Sequence, residues 1–283
     1  THSRFFLMIN GIFWNIRGVA KAPNLRRLIK LVRSHHVHFV AICEPKLDVS
    51  KIESIRLRLL FDYVCVNCSS DIWVFFSSPF VCSIVGNSDQ HISLEVQSPQ
   101  LPTPIIMSFV HAKCSVDERR NLWSSLLEDK SSLLPWCIGG DFNVILAPHE
   151  KCGGRPFAIA EGVDFMSFME EAEVFDVGFS GARFTWSNNR RSRARISKRL
   201  DRFLVNGACL DFSDAISVLH LARHPSDHSP LKISFVARSN NKPRPFRFLN
   251  VWTTKPEFLE VIRQAWNQDI SGSPLRVLCS KLL

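Results

Sequence analysis

Short apolar runs recur along this chain, from "FFLMINGIFW" near its start to "LKISFV" before Ala237, with polar or Gly- and Pro-bearing segments between them. Runs of this kind, rich in Val, Ile and Phe, read as buried strands. "YVCV", "IWVFF", "FVCSIV", "HISLEV" and "IIMSFVHA" follow one another in the first half. "VHFVAICEPK", "PWCIGGDFNVIL", "RFTWSN", "ISKRLDRFLV" and "AISVLHL" add others. Helical spacing enters in "APNLRRLIKLVRSHH", where Leu25, Leu28, Ile29, Leu31 and Val32 share a face. It returns in "DERRNLWSSLLED", with Asp117 and Glu118 in the dipole-favoured first turn, and over roughly 161–173. Strands outnumber helices and the order is mixed. The expectation is an α+β fold of two packed, mainly antiparallel sheets flanked by helices, not a doubly wound parallel sheet.

With 283 residues, 46% hydrophobic and 22% charged, the chain is long enough to bury a sizeable core. No apolar run approaches the roughly 18 residues of a membrane span, and "THSRFFLMIN" lacks the features of a signal peptide. The net charge of +9 favours a polyanionic partner. Nine scattered cysteines fit a reduced, intracellular protein better than a disulfide scaffold. "CVNC" has zinc-type spacing but no second pair, so buried thiols are expected; "HHVH" reads as a solvated or capping helix end. After Val236 the basic stretch "ARSNNKPRPFRF" reads as extended, and "TKPEFLEVIRQAWNQ" as an amphipathic helix. The expected division is a domain over 1–238 and a linker with helix over 239–283.

Several strand ends carry polar groups that packing does not require. They are Asn15 in "FWNIRG", Glu44 in "AICEPK", Asp141 and Asn143 in "IGGDFNV", Asp201 in "RLDRFLV", and Asp227 with His228 in "SDHSPL". Each has an innocent explanation: a turn cap, a surface acid before Pro45, a glycine-fixed turn, or an acid paired with a neighbouring arginine. Their joint presence at strand ends points to a shared site.

In that order and spacing, "WNIRG", "EPK", "GGDFN", "RLDRFL" and "SDHSPL" resemble the motif series of the endonuclease/exonuclease/phosphatase superfamily, over roughly residues 7–236. "SDIWVFF", "FVHAKCSVDERRNLW", "GARFTWSNNR" and "FRFLNVW" are similar in style to the endonuclease domains of plant-type non-LTR (LINE) retrotransposon polyproteins. The resemblance implies a four-layer DNase-I-like α/β-sandwich and Mg²⁺-dependent phosphodiester hydrolysis, with Mn²⁺ as a substitute. It implies Asn15, Glu44 and Asp227 at the metal, Asp141 aligning and deprotonating water, and Asn143 contacting phosphate or holding Asp141. His228 would stabilise the phosphate, with Asp201 fixing its tautomer, and His111 would stand where many relatives carry Tyr.

"SNNRRSRARISKR" reads as a hairpin loop, in which Asn188, Arg190, Arg191, Arg193 and Arg195 are expected to contact DNA; Trp186 at its base is a weaker stacking candidate. The activity implied is nicking of one DNA strand, in an intracellular, nuclear setting, with a reverse transcriptase region C-terminal in the same polyprotein. The Thr start and the end at Leu283 fit a piece of such a chain. Two alternatives stay open at this point: a phosphatase acting on inositol or lipid phosphates, and a decayed remnant that only binds nucleic acid.

Overall fold

The computed structural model describes residues 8–99, 101–131, 133–237, 258–267 and 277. The chain opens with β1 (Met8–Asn15), α1 (Ala22–His35) and β2 (Phe39–Cys43). Pro in the first turn of α1 costs no intrahelical hydrogen bond, and His36 closes the helix in the left-handed conformation. Next come α2 (Ile52–Leu59), β3 (Tyr63–Val66), β4 (Ile72–Phe76), β5 (Val81–Asn87), β6 (His91–Gln97) and β7 (Ile105–His111). Then α3 (Val116–Glu128) leads to β8 (Trp136–Asp141), β9 (Lys151–Cys152), α4 (Val163–Glu171) and β10 (Val174–Asp176). The short β11 (Ser180–Gly181), β12 (Trp186–Ser187) and β13 (Ser197–Lys198) precede β14 (Asp201–Asn206) and α5 (Gly207–Phe212). β15 (Ser213–His220) and β16 (Leu231–Ala237) complete the sheets, and α6 (Phe258–Trp266) lies on the C-terminal segment.

The strands form a seven-stranded sheet, β11-β15-β16-β1-β2-β4-β3, and a six-stranded sheet, β10-β14-β8-β7-β6-β5. Among the described strands only β1/β2, β7/β8 and β11/β15 pair in parallel, so both large sheets are mixed and mainly antiparallel. The alternation of a strand explains the layering. Ile9 and Phe13 of β1 join Phe39, Phe109 and Phe203 between the sheets. Ile12 and Trp14 point the other way, onto Leu25, Leu28 and Leu31 of α1 and Ile55 of α2. On the far side, Ile138 and Leu204 pack with Trp123 of α3 and Phe165 and Phe168 of α4. The result is the expected four layers, helix, sheet, sheet, helix. Each fully buried aliphatic or Phe side chain here contributes about 1.5–3 kcal/mol of hydrophobic stabilisation.

Several local readings change. "KIESIRLRLL" holds helix α2, with Ile52, Ile55 and Leu59 buried at three- and four-residue spacing. Gly139 and Gly140 lie inside β8, not in a turn. A Cβ at Gly140 would stand 2.3 Å from the Val110 carbonyl oxygen, so the close approach of β7 requires glycine. Cys68 of "CVNC" is exposed, because the chain has left β3 and turned by then; Cys65 is half-buried. Contacts divide the chain into two units, Thr1–Ser239 and Asn240–Leu283. Of the second, α6 is described and is helical as its spacing predicts; the expected linker lies outside the described residues. No described helix is long and apolar enough to cross a membrane.

Candidate functional site

Pairing brings the polar strand ends together. Asp141 at the end of β8 sits opposite Asp201 of β14 and beside His111 of β7. Asn15 ends β1, next to β2, after which Glu44 follows directly. The Asn15 amide links the two sheets: its Nδ2 donates to Asp141 Oδ2 and to Glu44 Oε1, each at 3.0 Å. "PSDHSPL" reaches the same place from the loop before β16. Ser226 Oγ donates to the Asn15 carbonyl at 2.9 Å, and the indole of Trp14 donates to the His228 carbonyl at 3.0 Å.

Asp201, His228 and Asp141 form a buried row. His228 Nδ1 lies 3.0 Å from Asp201 Oδ2, and its Nε2 lies 3.5 Å from Asp141 Oδ2. All three side chains are at most 3% exposed. Burial disfavours the imidazolium, but the Asp201 and Asp141 carboxylates outweigh it and raise His228 to about 9. Burial pushes Asp201 upward as well; the proton of this tightly coupled pair belongs on the ring, where it faces two acids. The three ligand-type side chains lie close enough to hold a metal. Held between two acids, the same imidazole can also move protons.

Glu44 stands in the left-handed region (φ 50°), which turns its carboxylate toward Asn15. Burial would raise its pKa, but Arg17, Asn15 and Lys46 hold it down at about 2. The Arg17 guanidinium lies between two acids. Its Nη1 donates to both Glu44 oxygens at 2.8 Å, and its Nε and Nη2 donate to Asp227 at 3.1–3.3 Å. Asp227, depressed by Arg17 against its own burial, also accepts from the Trp186 indole at 3.2 Å. Lys46 Nζ adds a contact of 3.0 Å on Glu44.

The donor set fits a hard divalent cation. Asn15 is fully buried, and its Oδ1 has no hydrogen-bond partner. Both contacts of its Nδ2 are carboxylates, so the amide cannot be reversed without facing oxygen to oxygen. An orphaned acceptor beside two carboxylates is what an oxygen-liganded ion would satisfy. Asn15, Glu44 and Asp227 are the residues that would hold it.

Asn143 also has positive φ (50°). Its backbone N–H donates to Asp141 Oδ1 at 3.0 Å, while its side chain donates to the Ala112 carbonyl at 2.7 Å. It holds Asp141 through the backbone and spends one side-chain hydrogen on the loop after β7. His111 Nε2 is 3.6 Å from Glu44, and its Nδ1 bonds Asp71. Burial opposes protonation of His111, but Asp71 and the neighbouring acids raise its pKa.

The arginine loop connects β12 to β13 and is anchored at the site. Ser187 N donates to the Asp227 carbonyl at 3.1 Å, and Trp186 pairs with His228. Asn188 closes the loop internally, donating to the Ala194 carbonyl and accepting from Arg190 N and Ile196 N. Arg190, Arg191, Arg193 and Arg195 are exposed, and among the described residues none is in an ion pair. Trp186 is committed to Asp227 rather than free to stack.

Sequence reasoning passed over Arg17, Lys46 and Asp71. Arg17 and Lys46 stood inside the quoted "WNIRG" and "EPK", and Asp71 inside "SDIWVFF".

The model of the Endonuclease/Exonuclease/phosphatase family matches residues 12–228. No curated protein sequence matches the chain. Among solved structures, the fold is similar to the endonuclease domain of TRAS1, a telomere-specific non-LTR retrotransposon (TM-score 0.61, 13% identity, covering 82% of this chain and 100% of that one). It is also similar to the AP endonuclease LMAP from Leishmania major (0.62, 13%, 82% and 88%). A third is the 3′-5′ exonuclease NExo from Neisseria meningitidis (0.61, 16%, 80% and 99%).

Proposed function

Because this chain belongs to the endonuclease/exonuclease/phosphatase family, we propose that it is a Mg²⁺-dependent DNA endonuclease that nicks one strand and leaves a 3′ hydroxyl. The observation that carries this reading is the arginine hairpin rooted on Asp227 and His228, which sets exposed cations beside an acid-and-imidazole centre. A phosphomonoester pocket would have no use for a row of exposed arginines leading away from it; a DNA backbone would. Arg190, Arg191, Arg193 and Arg195 lie on phosphates, and Asn188 shapes the loop that presents them.

A divalent ion held by Asn15, Glu44 and Asp227 would neutralise charge on the scissile phosphate; Mn²⁺ would substitute for Mg²⁺. Asp141, fixed through both oxygens, aligns a water and accepts its proton. His228, an imidazolium at neutral pH, donates to the phosphate as negative charge develops, and Asp201 holds its ring. His111, oriented by Asp71, is a second donor to the phosphate. Asn143 keeps Asp141 in place. Residues 1–238 constitute the catalytic domain, and 239–283 begin a connector. A reverse transcriptase region following in the same nuclear polyprotein would extend from the nick.

Two assays run side by side test this reading. Supercoiled plasmid should relax with Mg²⁺ and not with EDTA, while inositol phosphates release no phosphate. Phosphate release without nicking would make the chain a phosphatase, and DNA binding without either would make it a binding remnant.

A further inference from the structure

The carboxylate of Glu44 has no lone pair left for a metal. Oε1 accepts from Asn15 Nδ2 and Arg17 Nη1, and Oε2 from Arg17 Nη1 and Lys46 Nζ. Two oxygens offer about four acceptor sites in all. Asp227 is largely committed as well: Oδ2 accepts from Arg17 and Trp186, and Oδ1 from Arg17, while the Ser226 hydroxyl spends its one hydrogen on the Asn15 carbonyl. Of the oxygens on these three side chains, only Asn15 Oδ1 has no partner at all among the described residues. An ion that takes Glu44 as a ligand therefore enters only if a donor leaves.

Asn15 cannot leave, being fully buried at the junction of both sheets. Trp186 is pinned by the bridge to His228. Arg17 is different: its side chain is 38% exposed, follows the end of β1 and, among the described residues, has only the two acids as hydrogen-bond partners. Among the described residues it is also the one group that donates to both carboxylates. Lys46 is more exposed, at 54%, but touches Glu44 alone.

We infer that Arg17 is a resident counter-ion for the metal site, bridging Glu44 and Asp227 until a divalent cation displaces it. The inference rests on the metal reading given under the proposed function. Its consequence is a site whose acids stay neutralised and ordered when divalent ion is scarce, and whose affinity for that ion is set low by competition from within the chain. Two close carboxylates left bare would repel each other; the guanidinium removes that repulsion.

Mn²⁺ titration followed by electron paramagnetic resonance, in the absence of DNA, reads the competition directly. Arg17→Met should bind Mn²⁺ about tenfold more tightly than wild type, the scale of one partly screened charge contact. Arg17→Lys keeps the charge but cannot span both acids, and should also tighten binding. Lys46→Met removes a charge from Glu44 and leaves the bridge, so it should tighten less than either. If Arg17→Lys matches wild type, net charge and not bridging sets the affinity, and the inference fails. It fails equally if Arg17→Met binds no more tightly. Glu44→Gln serves as the separate check: unchanged Mn²⁺ affinity there would overturn the metal assignment itself, whatever Arg17 does. Circular dichroism of each variant confirms that it is folded, and Arg17→Lys, the smaller change, carries the test should Arg17→Met unfold.

Discussion

His228 and Asp201 meet across 27 residues of sequence, Nδ1 to Oδ2 at 3.0 Å, with the ring's other nitrogen facing Asp141. One acid holds the proton-bearing side of the imidazole while the other waits where water would be activated. Asp201→Asn should therefore act through His228. Removing the carboxylate should bring the imidazole down from about 9 toward an ordinary histidine value near 6.5. Nicking at neutral pH should fall about a hundredfold or more, the usual contribution of an oriented proton donor. NMR titration of the His228 ring against pH checks the cause, and a His228 pKa unmoved by the substitution would contradict it.

The arginine loop predicts a salt signature. Each phosphate contact contributes about −0.9 to the slope of log affinity against log salt for B-form DNA. Replacing Arg190, Arg191, Arg193 and Arg195 with Ala should weaken binding about equally across sequences and reduce the slope by up to about 3.6. An unchanged slope would place the loop away from DNA.

His220 predicts a loss of stability in acid. It is buried under Phe179, ring centroids 4.2 Å apart, with Nδ1 donating to the Ala182 carbonyl at 2.6 Å and no partner at Nε2. Burial lowers its pKa to about 4. The folded state thus binds fewer protons than the unfolded one between about 4 and 6.5; stability is intact above 6.5 and declines as pH falls through that window. From pH 7.5 to 5 the loss from this group is about 2 kcal/mol. Urea unfolding at both pH values, for wild type and His220→Gln, isolates it, since Asp176, Arg199 and Arg202 nearby are common to both. Equal pH dependence in the two proteins would contradict the assignment.

Gly140→Ala should destabilise the fold by about 1–3 kcal/mol, the cost of overpacking, because the new methyl meets the Val110 backbone and pushes β7 from β8. His111 and Asp141 end those two strands, so nicking should fall with stability. Chemical denaturation measures the first effect; a variant as stable as wild type would show that β7 can give way.

The strand ends were legible because a polar group that borders an apolar run has no packing reason to be there. Asn15, Glu44, Asp141, Asp201, Asp227 and His228 all declared themselves in that way, and the structure brings them to one place. Arg17 did not, since an arginine in a turn is ordinarily a solvated charge; only the two acids converging from Glu44 and Asp227 give it a role. Asp71 was silent for the same reason, a lone acid ahead of a strand whose partner, His111, lies 40 residues away. Gly139 and Gly140 misled because glycine serves close strand approach as readily as turns. Helix α2 was missed although Ile52, Ile55 and Leu59 carry helical spacing, because two Arg and a Glu among them weaken the apolar stripe.

Plasmid nicking by site variants tests the central claim most directly. Supercoiled DNA is incubated with wild type, Glu44→Gln and Asp141→Asn in Mg²⁺, with folding verified by circular dichroism. Each variant removes one charge from the metal or the water position, so each should lose about a hundredfold or more in rate, while wild type converts the plasmid to open circles. Either variant nicking at the wild-type rate would show that the chemistry is not carried by this site.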